Sequence, residues 1–222
     1  MTTASREKTD INEFMAGWTG FLNIVLRYIT EQLGADNRET REQLLNIYKE
    51  ICSTYALGHL SLSIAQHYGL PSHGLDVTKD YRIALSFALH EFFQSNTPGL
   101  MSTKRLKQGD EPVFYVFAMP EKKYFIDFAD SASIFKTATR PEKQKATFIY
   151  SGWGERYNDS SRWLIAAFYP SDISRFDDIL DAKEYFPGKQ DDIFGAVLSD
   201  LSEQIQTSPQ LRKYLERLYW VK

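Results

Sequence analysis

Three things are scarce in this chain of 222 residues: cysteine, net charge and long apolar runs. The single cysteine, Cys52, excludes an internal disulfide framework and fits a reducing compartment. It stands in an apolar helical pattern, so it reads as inert core rather than as a nucleophile. A net charge of −3 does not suggest a general binder of nucleic acid or of membrane surfaces. No stretch approaches the roughly 18 apolar residues of a membrane helix. The first ten residues are polar and carry no signal-peptide core. The expectation is a soluble cytoplasmic protein without membrane contact, with nucleic acid a partner that the charge does not indicate. The histidines His59, His67, His73 and His90 show no ligand spacing with cysteine or with paired carboxylates, so no metal is expected.

What the chain does have is apolar and aromatic bulk. Hydrophobic residues make up 43% and aromatics 14%, enough for one sizeable core. Residues 11–33 repeat apolar side chains at helical spacing (Phe14, Trp18, Phe21, Leu22, Val25, Ile29), with Asp10 a candidate N-cap and Gly34 a candidate C-cap. Further helices are expected over about 38–56, 59–68 and 81–93, and two more close the chain over about 189–206 and 208–219. Residues 75–78 read as a short strand, 112–119 as a buried strand, and 147–150 and 163–169 as two more. Residues 94–111 read as a polar loop. With no internal repeat and no clear linker, the simplest organisation is one α+β domain over 1–222: an N-terminal helix to residue 36, a core over 37–188, and C-terminal helices from 189.

The most informative stretch is Ile64-Ala65-Gln66-His67-Tyr68-Gly69-Leu70-Pro71, followed by Leu75-Asp76-Val77-Thr78 and by Ala84-Leu85-Ser86-Phe87-Ala88. Gly69 suits the positive φ that ends a helix, and Pro71 fixes the exit direction. His67 and Tyr68 then stand at the last turn of one helix. Strand alternation puts Asp76 and Thr78 on one side and Leu75 and Val77 on the other. The next helix begins near Asp80, and its N-terminal N–H groups could meet a phosphate or carboxylate. A structural reading stands beside this one: His67 satisfying helix carbonyls, Asp76 and Thr78 capping the following helix.

These residues resemble the signature of the FRG domain family, roughly A-Q-H-Y-G-L-P-T-x-x-L-D-x-T followed by an A-L-x-F-A helix. Two later stretches are similar to further family blocks. Arg140-Pro141-Glu142-Lys143-Gln144-Lys145-Ala146-Thr147-Phe148 resembles R-x-x-x-Q-x-G-x-F, with Ala146 at the usual Gly, and Tyr185-Phe186-Pro187-Gly188 resembles L-F-P-D. The Phe-Arg-Gly for which the family is named is absent. Its nearest candidates, Trp18-Thr19-Gly20 and Arg27, lie in a helical pattern. The chain is therefore either a divergent version or one lacking the family's first strand.

The layout is also similar to the ADP-ribosyltransferase fold, which implies a small mixed sheet flanked by helices. The resemblance implies binding of NAD or another nucleotide and ADP-ribosyl transfer to a macromolecule, as in bacterial toxins and phage-defence effectors. It assigns catalysis to Gln144 and Asp76, and places His67, Tyr68, Thr78 and Arg140 around the cofactor, Arg140 on phosphate. The cleft would lie between the 67–80 turn and the 140–150 strand. Gln144 stands where such enzymes use a Glu, and an amide supplies no charge to an oxocarbenium-like centre. Glu142 and Glu155 are neighbouring carboxylates that could substitute. The alternative is a non-catalytic module that keeps the scaffold for recognition or assembly with a protein partner.

Other features stay open between function and packing. Lys136, Arg140, Lys143 and Lys145 form a locally basic run that could meet phosphates or serve as a solvated face. Trp153, between two glycines, could stack on a base or fill the core. Tyr185-Phe186-Pro187 reads as a packing corner. The aromatic face of the first helix is either core or a docking surface.

Overall fold

The computed structural model describes residues 11–33, 56–72, 74–97, 99–118, 121, 125–128, 138–150, 159–176, 179–207 and 209–221. The helix expected over 38–56, the caps Asp10 and Gly34, and Cys52, His73, Lys136, Trp153 and Glu155 lie outside these residues.

Helix α1 (Ile11–Leu33) forms where the apolar spacing predicts it. Phe14, Trp18, Phe21, Leu22, Val25, Leu26 and Ile29 are all buried, while Glu13, Thr19, Arg27 and Glu31 face solvent. Each buried side chain of this size is worth roughly 1.5–3 kcal/mol, so the aromatic face is core. Trp18 Nε1 donates to the Ser61 carbonyl at 2.9 Å and ties α1 to helix α2 (Ala56–His67).

The exit of α2 is a glycine-terminated cap. Leu70 N donates to Ala65 O and Gly69 N to Gln66 O, with Gly69 at φ +92°. Strand β1 (Gly74–Thr78) follows, then helix α3 (Tyr81–Leu89) with Asp80 as its N-cap, its side chain accepting from Arg82 N.

The helix expected to run to residue 93 stops at Leu89. Strand β2 (His90–Gln94) takes over and pairs antiparallel with β3 (Leu100–Arg105), inside the expected loop. Phe92 and Phe93 fit the helical repeat as well as a strand, and long-range pairing decides between them. Strand β4 (Phe114–Phe117) was expected to be buried; instead Tyr115 and Val116 are exposed. Then come β5 (Phe125–Asp127), helix α4 (Thr139–Lys143), β6 (Ala146–Tyr150) and β7 (Leu164–Phe168). Helices α5 (Ala182–Tyr185), α6 (Ile193–Gln204) and α7 (Pro209–Leu215), and strand β8 (Trp220–Val221), complete the order.

The architecture is α+β. Among the described residues, the expected small mixed sheet is divided into three: β1-β6-β5, β2-β3-β8 and β4-β7. β6 is central in the first, with Asp76 opposite Phe148 and Thr78 opposite Ala146. A main core joins α1, α2, β6, α6 and α7, and a smaller cluster gathers Ile83, Ala182, Tyr185 and Phe186. Tyr185 and Phe186 are thus the packing corner that the sequence suggests. Among the described residues, no helix is long and apolar enough to cross a membrane.

Candidate functional site

A cleft of about 1210 Å³ opens between β1, α3 and β4, with Gln144 and Ala146 at one end. Its polar end is built from the two turns that the sequence brings into view. The α2 cap delivers His67, buried at 4% exposure, and the α4–β6 turn delivers Gln144, at 6%. His67 Nδ1 lies 3.0 Å from Gln144 Oε1. A carbonyl oxygen can only accept, so Nδ1 carries the proton and Nε2 is left as a bare acceptor.

Nε2 points at Asp76 Oδ1 across 3.6 Å, too long for a hydrogen bond, and neither atom has another partner. Burial pushes the imidazole down to about 3; the Gln144 bond opposes this and the Arg140 charge adds to it. Burial pushes the Asp76 carboxyl up to about 8, against a hydrogen bond from Gln66. The Asp76 side chain keeps 29% of its surface open to the cleft, so water moderates the size of that shift and leaves its direction. Both shifts favour the proton on the carboxyl and a neutral imidazole facing it.

The turn carrying Gln144 is held from several sides. Lys145 sits at φ +44°, a conformation uncommon for any residue but glycine, between Gln144 and the start of β6. Its ammonium lies 2.6 Å from Asp80 Oδ2, and its carbonyl accepts from Lys79 N. Arg82 and Lys145 hold the Asp80 carboxyl well below the usual carboxylate range. Thr78 lines the cleft, but its hydroxyl donates to Gln144 O at 2.8 Å and accepts from Asp80 N. Thr78 and Asp80 therefore do the capping work that the structural reading gave to Asp76 and Thr78, and Asp76 stays free of it. Lys79 lines the cleft and pairs with Asp127.

Two expected ligand contacts lie behind the cleft rather than in it. Tyr68 is 2% exposed and donates its hydroxyl to Asp192, at 3.0 Å and 2.9 Å from the two carboxylate oxygens. Arg140 is wholly buried. It donates to His67 O at 2.8 Å and to Tyr219 O at 3.0 Å, among the rings of Tyr68, Tyr219, Trp220 and Phe186. Placed there, its guanidinium does not reach a phosphate in the cleft, because the helix-end carbonyls and the rings already surround it. Glu142 is exposed and does not line the cleft.

Sequence reasoning passed over Gln66, Tyr219, Asp192 and the strand Phe114–Phe117 as site or supporting residues. Gln66 was legible, since it stands in the A-Q-H-Y-G-L-P run. Tyr219 gives no local signal, because tertiary packing alone brings it to the cleft. Among the described residues, no group of three or more His, Cys, Asp or Glu side chains comes together.

This is an α+β protein with a cleft whose polar end sets a buried imidazole and amide beside a partly exposed carboxyl. Residues 2–97 match the family model of the FRG domain, which supports the resemblance to that family over this part of the chain. The match includes α1 and the signature from Ile64 to Ala88; the 140–148 and 185–188 stretches lie outside it. No curated protein and no solved structure matches the chain at a significant level.

Proposed function

We propose that the cleft binds NAD or a closely related nucleotide and that the chain transfers an ADP-ribosyl group to a macromolecule. The observation that carries this reading is the polar end: among the described residues lining the cleft, Asp76 is the one carboxylate, and it stands beside His67 and Gln144. The volume exceeds the roughly 300–1,000 Å³ of ordinary ligand pockets, leaving room for a dinucleotide. Tyr81, Tyr115, Phe168 and Tyr169 offer exposed rings for stacking on a base or a nicotinamide.

NAD would supply the ADP-ribosyl group, whose reacting carbon gains positive charge as nicotinamide departs. Asp76 would supply the opposing negative charge. Burial favours the protonated carboxyl in the free cleft, and a cationic nicotinamide ring beside it would favour ionisation. Gln144 accepts from His67 through Oε1 and keeps its NH2 group for a ribose hydroxyl. His67 fixes the orientation of that amide.

The test is calorimetry on the purified chain with NAD, and with AMP and ADP-ribose as controls. Saturable NAD binding that strengthens as pH rises through about 8 and is lost in Asp76→Ala is the expected result. No binding of any of the three at millimolar concentration would sink it. The second reading is non-catalytic recognition. It is favoured by the way the polar groups already satisfy one another: Thr78 on Gln144 and Asp80, Lys79 on Asp127, Arg140 in the core.

A further inference from the structure

Among the described residues, two sheets that line the cleft each have a strand there with one unpaired edge. β1 is an outer strand of β1-β6-β5, and β4 has β7 as its partner. Where a strand shows a face to a cavity, alternate residues line it. Here consecutive residues do so on both walls, from Leu75 to Thr78 on β1 and from Phe114 to Phe117 on β4. Each strand therefore brings its backbone, and not one side-chain face alone, to the gap. Among the described residues, Leu75, Asp76 and Val77 make no backbone bond outside the β1–β6 ladder. Residues 114–117 make none outside β4–β7. The floor is α3, where Ala84 and Ala88 leave space above the helix.

We propose that the cleft takes an extended polypeptide segment as an added strand between β1 and β4, joining two small sheets into one. Backbone complementarity selects this occupant: rows of N–H and C=O groups on both walls are matched by another peptide backbone. Charge selects its side chains. Lys79, the cation lining the cleft, is paired with Asp127, and the rim is aromatic, with Tyr115 58%, Phe168 57% and Tyr169 69% exposed. The central residues of the segment are therefore free of acidic side chains and are apolar or β-branched. A nucleic-acid strand would need free cations along such a groove. The inference does not rest on the nucleotide reading: a peptide strand uses the backbone edges, a nucleotide the polar end, and either can fail alone.

The test presents the full chain with a randomised library of peptides about eight residues long, made once with ordinary amides and once with every second amide N-methylated. Oligothymidylate is the nucleic-acid control. The expected result is retention of ordinary peptides lacking central acidic side chains, and slowed amide exchange in β1 and β4. Binding should weaken about tenfold, a loss of roughly 1.4 kcal/mol, in Tyr115→Glu. Phe168→Glu, on the facing rim, should act likewise if Tyr115→Glu does not fold. Equal retention of N-methylated peptides, no retention of either library, or preferential retention of oligothymidylate would overturn the proposal.

Discussion

His67 and Asp76 hold one proton between them, and burial decides where it sits. In the unfolded chain near pH 5 the carboxyl is ionised and the imidazole charged. In the folded chain the same proton sits on the carboxyl, because the imidazole has fallen from 6.5 to about 3 and the carboxyl has risen from 3.8 to about 8. Each group alone links stability to pH with opposite sign. The depressed imidazole makes the unfolded state bind more protons, so its contribution rises with pH from about 3 to 6.5. The raised carboxyl makes the folded state bind more, so its contribution falls as pH climbs from 3.8 to about 8. Between 3.8 and 6.5 the two slopes oppose each other and the pair is nearly silent.

Substitution should unmask them. Relative to the parent, Asp76→Asn should gain stability as pH rises from 3.8 to about 8. His67→Gln should be relieved of the acid-side loss and so gain, relative to the parent, as pH falls from 6.5 to about 3. Urea denaturation across this pH range measures both. Variants that run parallel to the parent at every pH would show that the two groups titrate in the folded chain as they do unfolded. Tyr68 and Arg140 are held as core groups by the same need for partners: the phenol bonds a carboxylate, and the two terminal guanidinium nitrogens bond carbonyls.

At the scale of elements, the α2 exit is the joint on which the site depends. Gly69 holds φ +92°, and a Cβ there would lie 2.8 Å from Arg217 O and 2.8 Å from Tyr219 Cδ1. Gly69→Ala should cost about 1–3 kcal/mol through backbone strain and through pushing the segment before β8 off the cap. Thermal denaturation reads the loss directly; an unchanged midpoint would mean that residues 217–219 yield freely.

This joint was legible in the sequence because helix, glycine and proline each carry a local instruction. The α1 face was legible for the same reason: a repeat of this length records burial. Local pattern failed where partners decide. His90–Gln94 reads as the end of a helix until β3 pairs with it. Phe114–Phe117 reads as a buried strand because its residues are apolar, although among the described residues it pairs with β7 alone and two of its side chains are exposed. The candidate site divides in the same way. His67, Asp76, Thr78 and Gln144 reach one cleft, as their place in the signature suggests. The charge on Arg140 suggests a ligand contact, but packing makes it a core residue.

At the scale of the molecule, Arg140 is the point where separate elements meet. Its guanidinium bonds the last carbonyl of α2 at His67 and the Tyr219 carbonyl just before β8. The rings of Tyr68, Tyr219, Trp220 and Phe186 pack within 5.5 Å of its central carbon. Asp192, the cap of α6, supplies the nearby negative charge, and Gly195 N and the Tyr68 hydroxyl help hold it ionised against a burial that pushes its carboxyl up. Removing the cation therefore removes more than one bond. Arg140→Met leaves two carbonyls unpaired and strips Asp192 of its countercharge, and should cost about 3–5 kcal/mol. Arg140→Lys should fall between, since one ammonium keeps the charge but cannot span both carbonyls. A double-mutant cycle with Asp192→Asn separates charge from packing. If the electrostatic link is real, Arg140→Met costs less in the Asp192→Asn background, with a coupling of about 0.5–3 kcal/mol. Strict additivity in chemical denaturation would reduce Arg140 to a spacer among rings, and the tie between the end of α2 and the C-terminal strand would then rest on the carbonyl bonds and packing alone.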